Sequence, residues 1–248
     1  ISVNEIYDIS RTALVHHGAL DWVAGEVASA IAASESVGNK ICGLYYLESY
    51  CEQLISGRVD GKAAPEIQLM RTGSVYVNAK DGFAQPAFSK GLPEALKVAQ
   101  ENGIASLSVG RAHTCTSLGY FTKKIAEAGF LALGLTNASP IVAPPGGKSR
   151  IIGTNPIAFS VPDGSGGIAM QFDQSTTTVA LGKITMAKAA GKSIPEGWAL
   201  DKDGKSTTNP EDALLGTLVS SGGYKGWGFG LMAEILVAGM TGGRISKN

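Results

Sequence analysis

The sequence predicts an α/β fold in which a smaller layer of N-terminal helices precedes a larger domain of alternating strands and helices. Roughly the first sixty residues carry capped, Ala-rich helical patterns and no strand-like run. From Ile67 onward, short apolar runs alternate with amphipathic segments bounded by Gly and Pro. With 248 residues, 44% hydrophobic and 17% charged, the chain has apolar surface enough for one large or two unequal domains. The boundary is placed at 62/63, giving a helical domain over 1–62 and an α/β domain over 63–248.

Ser2 with Glu5 three residues on forms a capping box that opens a helix running to His17. Asp21 opens a second helix through Ser34, and Gly43–Leu54 carries a third. Ile67–Leu69 and Val75–Val77 read as strands, and Gln85–Gln100 as a helix with Pro86 in its first turn. Ile104–Val109 is a buried strand, Thr116–Gly129 a helix and Phe130–Leu135 a strand. Pro144-Pro-Gly-Gly147 then turns the chain toward strands at Ile157–Val161 and Ile168–Phe172. A helix is expected over Thr177–Ala190, a long polar connection over Ile194–Gly204, and a last helix from near Lys225.

Lys+Arg and Asp+Glu are each 21, so no excess of either sign attracts nucleic acid or an anionic membrane, and a small-molecule substrate is expected. Cys42, Cys51 and Cys115 form no CxxC pair and leave an odd thiol, which indicates a reducing, cytoplasmic setting and neither a disulfide framework nor a metal site. The longest apolar run, Phe229–Met240, is too short to span a bilayer and is interrupted by Glu234. No secretory signal opens the chain. It starts at Ile1 and stops straight after a helix, which reads as trimming at both ends.

Two segments carry the chemistry. Ile151-Ile-Gly-Thr-Asn-Pro-Ile-Ala-Phe159 is a glycine turn with a hydroxyl and an amide at a strand entrance. Gly222-Gly-Tyr-Lys-Gly226 is a glycine-rich loop that carries a lysine into a helix. Backbone N–H groups, short polar side chains and one cation suit a pyrophosphate, so the pair reads as two halves of a dinucleotide site. The ordinary Rossmann fingerprint is absent. Its nearest match, Gly164-Ser-Gly-Gly-Ile-Ala169, opens an apolar strand instead of a helix and reads as a hairpin loop.

Gly153-Thr-Asn-Pro156, Phe172-Asp-Gln-Ser175, Leu181-Gly-Lys-Ile184, Ile194-Pro-Glu-Gly-Trp-Ala-Leu-Asp201, Thr207-Thr-Asn-Pro210 and Gly222-Gly-Tyr-Lys-Gly226 stand in the order and spacing of one family. The sequence resembles the type-2 malate/L-lactate dehydrogenases over essentially its whole length, Asp81-Gly-Phe-Ala-Gln85 included. That family spans malate, lactate, sulfolactate and ureidoglycolate dehydrogenases, diketogulonate reductase and cyclic imino acid reductases. The resemblance implies a non-Rossmann α/β domain that binds NAD or NADP, a helical domain, and a homodimer. Family members run longer, with a C-terminal segment that this sequence lacks. By motif position, Thr154, Asn155, Asp173, Gln174, Ser175, Tyr224 and Lys225 are the implied cofactor contacts, with Lys225 facing a phosphate. A helix-capping Asp173 and a solvated Lys225 are the plainer readings of those two residues.

The catalytic end departs from the family pattern. Where the family carries Ser-His-Gly, with an Arg four residues after the His, this sequence has Ile41-Cys42-Gly43 and Tyr46. Imidazole titrates near about 6.5 and a thiol near about 8.5, so Cys42 is a reluctant acid at neutral pH. Losing the Arg removes a bidentate clamp for a carboxylate and directs attention to substrates other than malate. Cys42 also reads as a plain buried thiol. His113, in Gly110-Arg-Ala-His-Thr-Cys115 directly after a strand, matches the family's second histidine and becomes the expected proton carrier with Cys42 beside it. A backbone-bonded structural histidine is the alternative. Tyr46, Tyr50, Asn137 and Lys148 are the expected substrate contacts, and packing is the alternative for both tyrosines. The competing readings are a family member that binds cofactor without turnover, and a Cys42/His113 hydrolase or lyase.

Overall fold

Apolar periodicity and capping chemistry fix the helical start of the chain. In the computed structural model, which describes residues 1–113 and 115–247, Ser2 accepts from Glu5 N–H while the Glu5 carboxylate accepts from Ser2 N–H, so the capping box opens α1 (Val3–His16). Helix α2 (Asp21–Ser36) follows, its Ala-rich faces buried. Ile6 and Leu14 of α1 meet Val23, Val27 and Ile31 of α2, with Tyr50, Val59 and Phe83 completing this core.

The expected third helix from Gly43 is shorter than the sequence suggests. Cys42, Gly43 and Tyr46 donate three residues back, so 3-10 turns occupy Lys40–Cys42 and Leu44–Tyr46. Helix α3 then covers Leu47–Ile55. Gly43, at ψ −134°, breaks the helical path, and Leu44 N–H is taken by the Glu35 carboxylate at 2.8 Å.

Strand β1 (Glu66–Arg71) pairs antiparallel with β2 (Ser74–Asn78), Ile67 opposite Val77 and Leu69 opposite Val75. Helix α4 (Ala84–Asn102) returns the chain to β3 (Ser106–Gly110), parallel to β2, making a strand–helix–strand unit. Pro86 lies in the first turn of α4, where its missing N–H costs nothing. Gly91 lets α4 lie close on Val77 and Leu107 of the sheet. Helix α5 (Gly119–Glu127) starts three residues later than Thr116, whose φ of 53° is not helical.

Strands β4 (Ala132–Leu135), β5 (Ile157–Pro162) and β6 (Ile168–Gln174) form a second three-stranded sheet in that order. The Gly164 segment is the loop between β5 and β6. There Asp163 accepts from Ser165 N–H and Gly167 N–H, as expected of a hairpin connection and not of a nucleotide loop.

Helix α6 (Leu181–Ala189) begins four residues after the expected Thr177. The run Thr176-Thr-Thr-Val179 is β-branched and stays extended, Thr177 bridging Ser220 and Thr178 N–H bonding to Val219. The expected polar connection contains β7 (Ala199–Leu200), which pairs antiparallel with β8 (Ser206–Thr207) and β9 (Thr217–Leu218). Helix α7 (Pro210–Leu215) lies between β8 and β9, with Asn209 capping its start and Pro210 at its first position. Two-residue strands show no period, so sequence pattern does not reveal them. Helix α8 (Tyr224–Thr241) ends the regular structure. Among the described residues no helix is long and apolar enough to cross a membrane.

The chain divides into two compact units, Ile1–Ala132 with Phe159–Gln171, and Leu133–Ala158 with Phe172–Asn248. The first holds α1 to α5 and the β1–β2–β3 sheet. The second has its own core of Val142, Ile152, Val179, Ile184, Ile194 and Leu218.

Candidate functional site

In the second unit the three motif segments are one hydrogen-bonded assembly. The Thr154 carbonyl accepts from Thr176 N–H and from Thr176 Oγ1, both at 2.9 Å. The Thr176 carbonyl accepts from Ser221 N–H at 3.0 Å, and the Ser221 carbonyl from Gly226 N–H at 2.9 Å. A Cβ on Gly226 would overlap the Ser221 carbonyl oxygen and stand 2.8 Å from that of Thr176. Only glycine permits this close approach of α8.

The outer side of this assembly is open. Gly222 (φ 62°) and Gly223 (φ 65°) adopt left-handed conformations, and a Cβ added at either, or at Gly228, meets nothing within 4 Å. No side chain caps α8, so its first turn keeps donors for an anion beside the exposed Tyr224 and Lys225. Open glycine backbone, an uncapped helix start and a lysine are what a dinucleotide phosphate requires, so the residues present fit NAD or NADP.

Asp173 and Gln174 end β6 and are exposed, while Ser175 is half-buried and accepts from Thr177 Oγ1 at 2.9 Å. Asn155 is fully buried at φ 34°. Its Nδ2 donates to the Gly230 carbonyl (2.9 Å) and Glu234 Oε2 (2.7 Å), and its Oδ1 accepts from Ala138 N–H (3.1 Å). Asn137 Nδ2 donates to Glu234 Oε1 (3.3 Å) and the Arg244 carbonyl (2.9 Å). Lys148 is exposed with Gly204 against its stem, and no hydrogen bond among the described residues joins it to the assembly.

In the first unit the loop after β3 runs beside the 79–84 segment. Ala79 N–H bonds to Gly110, Asp81 N–H to Arg111, His113 N–H to Gly82, and Ala84 N–H to the His113 carbonyl. Lys80, Asp81 and Arg111 hold φ values of 52°, 62° and 51°, each costing about 1 kcal/mol, and the Arg111–Asp81 ion pair closes the turn. Strain held by this many bonds fixes where the half-buried His113 ring sits. Burial lowers its pKa from the ordinary 6.5, the Arg58 charge lowers it further, and Asp81 opposes both.

Tyr50 is fully buried among α3, Phe83 and Tyr46, the two aromatic pairs edge-on at 5.4 and 5.6 Å. Its hydroxyl donates to Thr116 Oγ1 (3.1 Å) and accepts from Gln85 Nε2 (3.3 Å). Burial pushes the Tyr50 pKa far above that of a free phenol, and also raises that of the half-buried Tyr46. Cys42 and Cys115, both present as half-buried thiols, lie within electrostatic range of both phenols. The structure thus gathers Cys42, Tyr46 and Tyr50, while the charges acting on His113 are those of Arg58 and Asp81.

Three organising residues escaped the sequence reading. Gln85 and Thr116 hold the Tyr50 hydroxyl, and Glu234 holds both asparagines. Glu234 had left one signal, a carboxylate inside the longest apolar run. Among the described residues no group of three or more His, Cys, Asp and Glu could hold a metal ion.

A profile of the malate/L-lactate dehydrogenase family matches residues 1–248. The chain belongs to this family. It is therefore an NAD(P)-dependent oxidoreductase acting on small acids or imino acids, and its fold is that of the family. Among curated relatives it is 38% identical over 243 residues to the (2R)-3-sulfolactate dehydrogenase (NADP(+)) of Chromohalobacter salexigens, covering 98% of this chain and 72% of that protein. It is 35% identical over 247 residues to the Δ1-pyrroline-2-carboxylate/Δ1-piperideine-2-carboxylate reductase of Pseudomonas syringae pv. tomato, covering 99% and 72%. The crystal structure of the Δ1-piperideine-2-carboxylate reductase from that organism superposes with a TM-score of 0.95 at 34% identity, over 99% of this chain and 74% of that one.

Proposed function

We propose that this family member reduces a small 2-oxo acid or a cyclic Δ1-imino-2-carboxylate, with the Thr154 turn, Ser175, Tyr224 and Lys225 holding the cofactor and His113 moving the proton. The observation that carries this reading is the hydrogen-bonded unity of the Thr154, Thr176 and Ser221–Gly226 segments beneath an open, uncapped helix start. Bound NADH or NADPH supplies a hydride from nicotinamide C4. The chain's own residues orient and protonate. Lys225 and the first amides of α8 hold a phosphate, and Asp173 and Gln174 offer exposed polar groups at the β6 end. His113, held by its loop, gives a proton to the oxygen or nitrogen that gains charge during reduction and takes one back in the reverse direction. Cys42 is the expected companion of His113, and Tyr46, Tyr50, Asn137 and Lys148 are the expected substrate contacts. Of these, Tyr46 and Cys42 are half-buried, while Tyr50 and Asn137 have their side chains engaged within the protein.

Tyr46 in place of a carboxylate-binding arginine favours a substrate with one acidic group over a dicarboxylate such as malate. A homodimer in a reducing, cytoplasmic compartment is the accompanying reading. The fully exposed strand β1 with Ile67, Leu69 and Met70 supports the dimer, and the three thiols support the compartment. The test is to mix the protein with NADH or NADPH and a panel of 2-oxo acids and Δ1-imino acids, following loss of reduced-nicotinamide absorbance. Oxidation by a cyclic imino acid or monocarboxylic 2-oxo acid above malate's partner is the expected result. Cofactor binding by calorimetry with no turnover across the panel would instead indicate a binding protein.

A further inference from the structure

A carboxylate in the middle of an apolar helix needs an explanation, because burying an ion costs several kcal/mol unless donors surround it. Glu234 is 4% exposed, within the apolar run of α8. Its Oε1 accepts from Asn137 Nδ2 and Ser246 N–H, and its Oε2 from Asn155 Nδ2 and Ser246 Oγ. Gly226, Gly230 and Glu234 recur every four residues and so share one buried face of the helix. A Cβ on Gly230 would stand 2.9 Å from both Ile152 Cδ1 and Thr176 Oγ1, so this face lies flush on the Thr154–Thr176 clamp.

Asn155 is the link. Its φ of 34° is tolerated by asparagine better than by most residues, yet it still costs energy. The side chain offsets that by bonding Ala138, Gly230 and Glu234, which ties the turn to three separate points. We propose that Glu234 is a positioning residue for the cofactor turn, its carboxylate fixing Asn155 and through it the Thr154 main chain against the start of α8. The proposal rests on the cofactor reading above and deepens it. Glu234 touches neither cofactor nor substrate, and acts by holding the turn in its binding geometry before the ligand arrives.

The test is equilibrium titration of the full protein with NADPH and NADH by calorimetry, alongside steady-state kinetics and thermal unfolding. In Glu234→Gln the new amide nitrogen takes the place of one carboxylate oxygen and so faces two of the four donors. The cofactor Kd is expected to rise roughly tenfold, with kcat at saturating cofactor within about twofold and the substrate KM unchanged. Ser246→Ala removes one bond to the same carboxylate and the Gly153 N–H bond to Ser246 Oγ (3.3 Å) but leaves Asn155 held, so its Kd should rise less than that of Glu234→Gln. An unchanged Kd in Glu234→Gln with a lowered Tm would overturn the proposal, as would equal weakening by Ser246→Ala. Should Glu234→Gln fail to fold, Asn155→Gly carries the test, since glycine takes the left-handed turn freely while the bonds to Ala138, Gly230 and Glu234 are lost together. The same rise in Kd is expected there, and an unchanged one rejects the idea. If the parent protein binds neither nucleotide, the cofactor reading itself falls and this proposal with it. Parent binding with unaltered variants sinks the positioning role alone.

Discussion

In the first unit the buried polar cluster is neutral: a phenol, an amide and a threonine hydroxyl exchange hydrogen bonds around Tyr50. In the second unit the corresponding cluster is built on a carboxylate, with Asn137, Asn155 and Ser246 turned toward Glu234. The loops differ in the same way. Left-handed conformations near His113 fall on Lys80, Asp81, Arg111 and Thr116, whereas the loop into α8 uses Gly222 and Gly223. Strained non-glycine backbone is kept where a side chain must be aimed, and unstrained glycine where main-chain donors must stay accessible. The proposed function uses the first kind of loop to hold the His113 ring and the second to offer backbone to a phosphate.

The sharpest way to break this comparison is Gly226→Ala. Its methyl group would collide with two carbonyl oxygens, so a loss of about 3 kcal/mol or more in denaturant unfolding is expected. A loss under about 1 kcal/mol would show that close backbone approach does not hold the second unit's assembly together. Tyr50→Phe should cost about 2 kcal/mol, because it removes the acceptor of a buried amide and the donor to Thr116 without creating a cavity. Lys225→Ala should weaken cofactor binding about tenfold while leaving Tm unchanged, since the side chain is exposed. Equal losses of stability and affinity would place Lys225 in the scaffold.

The smallest effect is a shift in pH profile. Burial and Arg58 favour neutral His113, so its folded pKa lies below 6.5. Reduction needs the protonated ring, so its rate should fall as pH rises through that lowered value. Oxidation needs the neutral ring and should rise through the same value. Arg58→Ala removes a charge that disfavours the imidazolium and should move both limbs toward higher pH. Unmoved profiles would assign the proton to another group.

Much of the architecture was legible in the chain, and the failures have identifiable causes. The Ser2/Glu5 box, the β1–β2 pair and the strand–helix–strand unit follow from local chemistry and period. The start of α6 was misplaced because Thr176–Val179 takes its partners from Val219 and Ser220, about forty residues away, which no window of sequence contains. The third helix begins late because the carboxylate of Glu35, at the end of α2, claims Leu44 N–H. Thr154, Asn155 and Lys225 were visible as motif members. That Asn155 faces inward and Lys225 outward was not, because both are polar and burial is a property of the packed chain.

From the sequence alone came the family pattern, the alternation of elements and the absence of a Rossmann glycine turn, since each is written in spacing and residue type. Tertiary structure decided which polar groups stay exposed and which meet one another. Glu234 is four residues from Gly230 in the chain but 79 from Asn155, and the bond between those distant partners gives a buried charge its place. Long-range donors, not local pattern, determine whether a carboxylate in an apolar helix is an error or an anchor.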